Sequence, residues 1–232
     1  MTMRLPDALR AMTDKIEDIT HSTVEATVAL AREIQHSVAE QPGSSTDMFL
    51  LPSVKTVLQQ HIKTSLSQTP YCSGAGFASH IASTPASQEF WVLEWWYKRA
   101  DGVEQVNLEL DQATQQRLDF RTFEWFRHSP PDGKAYIHGP YVDYICNTSY
   151  TLTSAVPVYS KGQFMGVAAI DMLVSRIEDE LLPYARQQRV VLTNLDKRIF
   201  FSTWPRYRVG DLLDTGELQQ CYQSDYFRLY QL

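Results

Sequence analysis

A chain of 232 residues, 44% hydrophobic and 12% aromatic, holds the core material of one large domain or two small ones and lies far from the composition of a disordered segment. With 21 Lys and Arg against 27 Asp and Glu the formal charge is −6, which excludes general nucleic-acid binding because no surplus of cations is left to neutralise phosphates. Three cysteines, Cys72, Cys146 and Cys221, are odd in number and far apart, so they make neither a disulfide framework nor a CxxC metal site and fit a reducing compartment best, with a single disulfide as the other reading.

Residues 1–41 lack the apolar centre of a signal peptide, and no run approaches the ~18 apolar residues of a membrane-crossing helix. The expected location is cytoplasmic, with an excised periplasmic or extracellular piece as the other reading. Residues 1–41 read instead as a long helix. Leu9, Met12, Ile16 and Ile19 recur at spacings of three and four, the stripe continues through Thr23, Ala26, Leu30 and Ile34, and charged residues such as Asp14, Lys15, Glu25 and Arg32 fill the other faces. Pro42-Gly43-Ser44-Ser45 stops it. Such a stripe packs on the chain's own sheet or joins a second copy, and the two readings stay open for different segments.

A second helix is expected over 54–66, with Val54, Val57, Leu58, Ile62 and Leu66 on one side. The period then changes to two, and strands are expected over 72–81, 90–99 and, across the Asp101-Gly102 turn, 103–110. Within 90–97, alternation sends Trp91, Leu93, Trp95 and Tyr97 one way and Val92, Glu94 and Trp96 the other, so both faces are nearly apolar, as in a central strand covered on both sides. Residues 112–129 carry a short helix into a loop that ends at Pro130-Pro131-Asp132-Gly133, and Gly139-Pro140 reads as a turn. Two antiparallel strands, 148–159 and 163–172, join at Ser160-Lys161-Gly162. An amphipathic segment over 174–187, broken near Pro183, follows. A hairpin of 189–193 with 198–202 comes next, and 222–230 reads as a last strand. The order describes an α+β fold with helices packed on one antiparallel sheet and a helix-and-loop insert over it.

Trp125-Phe126, then Gly139-Pro140-Tyr141-Val142-Asp143-Tyr144, then the strand 151–159, then Gly162 to Asp171 resemble, in that order, the ligand-binding half of a Cache domain. This is the PAS-like (PDC) extracytoplasmic sensor fold of bacterial receptors. The resemblance spans roughly residues 5–215 and implies a PAS-like antiparallel sheet with a long N-terminal helix, a helix/loop insert and a small C-terminal second lobe. In domain terms it implies the helix at 1–41, the main ligand-binding lobe at 42–178 and a reduced lobe at 179–232. Amino-acid-binding members carry an Arg, one residue, then Trp-Tyr, and further on an Asp at the end of a Gly-Val strand. Here Trp125 and Asp171 match, Phe126 stands where Tyr is usual, and Phe123 takes the Arg position.

The function so implied is non-catalytic sensing of a small polar molecule, an amine, an amino acid derivative or a small organic acid, signalled through a homodimer of N-terminal helices or a partner protein. No cofactor and no metal enter. The physical case can be made from the residues as well. A carboxylate such as Asp171 attracts an ammonium group, and aromatic faces such as Trp125 and Tyr141 add cation–π attraction of roughly 0.5–2 kcal/mol each. Val167, Ala169 and Asp171 share a face by alternation, and the small residues leave room. With Phe123 in place of the cation that would grip a carboxylate two-pronged, an amine without a carboxylate gains ground, although Arg121 or Arg127 stands close enough to substitute. The candidate ligand-binding residues are thus Arg121, Trp125, Phe126, Arg127, Tyr141, Asp143, Tyr144, Thr153 and Asp171. Each has a plainer reading: Asp171 as a cap of the helix near Val174, Trp125 and Phe126 as core aromatics, Asp143 as a turn stabiliser, Thr153 as a strand former.

Enzymatic readings have less to stand on. Gly74-Ala75-Gly76 lacks the third glycine and the βαβ setting of a dinucleotide site, and no Walker A, HExxH or Gly-x-Ser-x-Gly motif occurs. Cys146 with His138 and Asp143 offers a nucleophile, base and orienter by composition alone, and His128, His138 and Asp143 match no zinc spacing. A small hydrolase or lyase with an unrecognised pocket, or a structural interaction module with a decayed pocket, remain the competing classes.

Overall fold

The computed structural model describes residues 5–40, 46–81, 90–106, 122–127, 134–144, 146, 148–185 and 188–231. Helix α1 (Asp7–Ala39) buries its expected stripe except for Ala26, which is half-buried: Leu9, Met12, Ile16, Ile19 and Ile34 have no exposed surface, and Leu30 has almost none. Buried threonines beside the stripe return their hydroxyls to the helix itself, Thr20 donating to Ile16 O at 2.9 Å and Thr27 to Thr23 O at 2.8 Å, so burial orphans neither. A 3-10 turn (Thr46–Leu50) leads into α2 (Pro52–Gln68), which opens on a proline that needs no helical partner and buries Val54, Leu58, Ile62 and Leu66. Val57, expected on the same side, is exposed, because the buried stripe follows a strict spacing of four that passes it by.

Ten strands follow. They are β1 (Gly74–Ile81), β2 (Phe90–Arg99), β3 (Gly102–Gln105), β4 (Tyr136–Asp143), β5 (Ser149–Ser160), β6 (Gln163–Leu173), β7 (Val190–Thr193), β8 (Ile199–Ser202), β9 (Gln219–Gln223) and β10 (Arg228–Gln231). One turn of helix, α3 (Glu124–Arg127), precedes β4, and α4 (Val174–Ala185) follows β6. The first six strands form a sheet of order β3-β2-β1-β6-β5-β4, and the last four form a second sheet of order β8-β7-β10-β9. The fold is therefore α+β and antiparallel, as expected. Among the described residues, no helix is long and apolar enough to cross a membrane.

Three local expectations need correction. Gly139-Pro140 is not a turn but lies inside β4, at the sheet edge, where a proline without an N–H is tolerated. Gly139 has φ 106°, and a side chain there would meet Thr151 O at 2.6 Å, so the glycine marks a close strand approach. Helix α4 continues through Pro183, since a proline in the last turns removes a single backbone bond while Val174, Ile177, Leu181 and Ala185 hold the buried face. The expected last strand is two, β9 and β10, separated by a turn in which Ser224 Oγ accepts the N–H groups of Tyr226 (3.2 Å) and Phe227 (3.1 Å).

The chain divides into two compact units, one of residues 1–22, 137–153 and 172–232, the other of residues 23–136 and 154–171. In the first, Val191, Ile199, Leu213, Leu218 and Tyr230 form a core flanked by Trp204 and Tyr207. Lys15 pairs with Glu180 at 2.8 Å, Tyr222 donates to Glu17, and Asn194 Nδ2 donates to Gly139 O at 2.6 Å. In the second, α2 and the later turns of α1 cover one sheet face, packing Leu30, Ile34, Leu58, Ile62 and Leu66 on Ala75, Phe77, Val92, Ala168 and Ile170. Glu94 on that covered face is only 4% exposed and is satisfied by Lys55 (3.0 Å), Gln59 (3.1 Å) and Gln105 (3.0 Å).

Candidate functional site

The opposite face of the second unit's sheet carries the candidate site. In the pairing of β1 with β6, Gly74 stands across from Asp171, Gly76 from Ala169 and Ala78 from Val167, so two glycines and four short side chains line up in two rows. Asp171 is a strand residue, not a helix cap. Its carbonyl accepts Ser73 N–H at 2.8 Å and Ser73 Oγ–H at 3.0 Å, which ties the end of β6 to the start of β1 and holds the carboxylate on the Gly74 side. The carboxylate residue is buried, as are Ala169 and Val167.

On β2, Trp95 stands across from Gly76. A methyl group at Gly76 would meet Trp95 Cε3 at 2.2 Å and Glu94 O at 2.5 Å, so the indole lies on the bare glycine backbone. A methyl at Gly74 would lie 3.0 Å from Trp95 Nε1 and 3.4 Å from Asp171 Oδ2. The indole N–H and the carboxylate thus converge on one spot above Gly74. Trp95 is 5% exposed, and its Nε1 has no hydrogen-bond partner among the described residues.

Helix α3 brings Trp125 to this face. The N–H groups of Phe126 and Arg127 both donate to Phe123 O at 3.1 Å, closing the turn, and Trp125 is buried with its ring 6.0 Å from that of Trp95. The ring of Phe123 lies 6.1 Å and that of Phe126 6.0 Å from Trp125, and the aromatic series runs on through Phe126–Phe164 (6.1 Å) and Phe164–Tyr159 (5.7 Å). Phe123 is thus part of an aromatic cluster. Arg127 is exposed, and Arg121 lies outside the described residues, as does most of the expected 112–129 insert.

The remaining candidates belong to the other unit. Tyr141 and Thr153 share a hydrogen bond of 2.8 Å between their hydroxyls, and the Tyr141 ring stacks on His138 at 5.6 Å. Asp143 is buried, accepts Cys146 N–H on Oδ1 at 3.2 Å and accepts Thr148 N–H on its carbonyl at 2.7 Å, which organises the reversal into β5. Tyr144 is 78% exposed. Among the described residues, no three His, Cys, Asp or Glu side chains are grouped so as to hold a metal ion. Sequence reasoning missed Trp95 and the two glycines. The usable signal was a Gly-x-Gly on a strand facing an aromatic strand, which marks close approach of a large ring to backbone rather than a nucleotide loop.

Comparison with known proteins supplies the wider frame. The profile of the methyl-accepting chemotaxis protein-like first PDC sensor domain matches residues 54–179. No curated protein matches the chain significantly. Among solved structures, the ligand-binding domain of the Campylobacter jejuni chemoreceptor Tlp3 in complex with 4-methylisoleucine aligns with a TM-score of 0.59 at 15% identity, covering 97% of this chain and 87% of that one. The ligand-binding domain of the Pseudomonas aeruginosa PAO1 amino-acid chemoreceptor PctC, in complex with GABA, aligns at 0.59 and 14% identity over 96% of this chain and 94% of its own. At such identities the likeness is one of fold. The family match over residues 54–179 corrects the cytoplasmic expectation, because domains of this family are the periplasmic or extracellular sensor domains of chemoreceptors. The cysteine argument failed for a physical reason. Cys72 is sealed in the core, where burial pushes its thiol up to about 12, and it donates to Gly74 O at 3.1 Å, so it stays a thiol whatever the compartment.

Proposed function

Because the chain belongs to the family of methyl-accepting chemotaxis protein-like first PDC sensor domains, we propose that it senses an amine or amino-acid-like molecule outside the cytoplasm and seats the ligand's ammonium group on Asp171. The observation that carries this reading is the buried Asp171 carboxylate on a face of small residues, walled by Trp95 and Trp125. In that low-dielectric setting a charge-assisted hydrogen bond contributes about 1.5–3 kcal/mol, and each indole face adds cation–π attraction to the same positive group. Small residues on the floor admit a compact ligand. The related domains crystallised with isoleucine, L-valine and GABA all hold molecules with an amino group, which supports the same chemistry here.

Occupancy acts by population shift, the ligand favouring one arrangement of the chain over another, and passes to a second copy or a partner protein. The test is a thermal-shift screen of amines, amino acids, carboxylates and purines on the wild-type and Asp171→Asn proteins, with product analysis of any hit. A wild-type stabilisation of about 2.7 kcal/mol at a hundredfold excess over Kd, absent in the Asp171→Asn protein and without turnover, is the expected result. Equal stabilisation of both proteins removes Asp171 from the site, and conversion of the hit removes the non-catalytic reading.

A further inference from the structure

A buried indole N–H with no acceptor is unusual in a folded protein, where polar groups removed from water are nearly always hydrogen-bonded. Two such nitrogens occur among the described residues, those of Trp95 and Trp96. That of Trp96 belongs to the helix-covered face and sits under Lys63, whose Nζ lies 3.8 Å from the ring centroid. That of Trp95 lies on the Asp171 face, 3.0 Å from the point where a Gly74 side chain would begin, with Asp171 Oδ2 3.4 Å from the same point. The N–H does not bond the carboxylate, although both address one small space. Gly76 is what allows this, since any side chain there would collide with the indole and turn the nitrogen away.

We propose that the Trp95 N–H donates to an oxygen of the ligand, so that donor and carboxylate together select an amine bearing a neutral oxygen acceptor within a few bonds, such as an amino amide or amino alcohol. This deepens the amine-sensing reading above and rests on it. The charge arrangement sets the preference. Asp171 repels an anionic oxygen brought close to it, and Phe123, with its ring 6.1 Å from that of Trp125, adds an aromatic surface to this side. A neutral donor beside a negative carboxylate suits a neutral acceptor better than a ligand carboxylate.

The experiment uses the full chain and matched sets of probes built on the alanine, valine and phenylalanine side chains: the plain amine, the amino acid and the amino amide, titrated calorimetrically. In whichever set binds, the amide is expected to bind about tenfold tighter than the plain amine, the worth of one neutral hydrogen bond, and tighter than the amino acid. In the Trp95→Phe protein amide and amine are weakened together by the smaller ring face, and the roughly tenfold ratio between them collapses to about one. A Trp95→Phe protein that keeps the amide preference overturns the proposal, as does a wild type that binds amine and amide alike. Amines that bind without amide preference sink only this proposal, whereas failure of every probe to bind sinks the amine reading with it. Should Trp95→Phe fail to fold, the wild-type protein labelled with 15N-tryptophan decides. One indole N–H resonance moves downfield with the amide and stays put with the amine, and the absence of such a movement overturns the assignment.

Discussion

Replacing Gly74 by alanine adds one methyl group at the point where the Trp95 N–H and the Asp171 carboxylate converge, and the structure lets its effect on folding and on binding be separated. The new carbon would lie 3.0 Å from Trp95 Nε1, 3.4 Å from Asp171 Oδ2 and 3.5 Å from Trp96 O, so a shift of the indole edge by a few tenths of an ångström accommodates it. Gly74 does not occupy the left-handed region, and Gly→Ala at a compatible position gains about 0.4–1 kcal/mol through the unfolded chain, which offsets the crowding. Folding stability is therefore expected to stay within about 1 kcal/mol of wild type. Binding is another matter. The methyl stands in front of both polar groups, and loss of one charge-assisted and one neutral hydrogen bond amounts to about 2–4 kcal/mol, or roughly 30- to 700-fold in Kd. Chemical denaturation gives the first quantity and calorimetric titration with the best amine probe gives the second. A Gly74→Ala protein with wild-type stability and wild-type affinity would refute the placement of the ligand on this face.

Two further expectations follow from the same geometry and from the other unit. Gly76→Ala cannot relax as Gly74→Ala does, because its methyl meets a ring carbon at 2.2 Å and a main-chain oxygen at 2.5 Å; overpacking of this kind costs about 1–3 kcal/mol, read as a lower denaturation midpoint, and an unchanged midpoint would mean the indole does not rest there. Burial, then the hydrogen bond to Glu17 and the nearby Asp14, push the Tyr222 hydroxyl up to about 12. The folded state thus holds this proton more tightly than the unfolded chain, so the stabilisation is complete below about pH 10 and is lost as pH rises from there through about 12. The Tyr222→Phe protein should show a shallower alkaline decline than wild type by equilibrium denaturation, and parallel curves would deny the coupling.

Periodicity made much of this fold readable. The spacing of three and four in α1 and the alternation through β2 are backbone geometry written in side chains, and both appear where expected. Positions where geometry comes from a neighbour were not readable in the same way. Gly139-Pro140 looks like a turn unless one knows that β5 runs beside it, and the Asp171 position looks like a helix cap unless one knows that β6 continues to Leu173. The candidate site shows the same limit. Trp125 and Asp171 were visible because each stands in a local motif, whereas Trp95, Gly74 and Gly76 acquire their meaning from register. Which glycine faces which ring depends on the pairing of β1 with both β2 and β6, and a shift by one residue would send the indole to the helix side.

The Trp95–Trp125 pair also makes this face its own optical instrument. Two indoles with centroids 6.0 Å apart and planes inclined by 38° exchange excitation, and the emission of one depends on what its N–H meets and on any charge brought near it. Of the chain's five tryptophans, these two flank Asp171 from the same side of the sheet. A molecule arriving above Gly74 therefore announces itself in the protein's intrinsic ultraviolet emission, so kinetics of arrival and departure can be followed in stopped flow with no label attached.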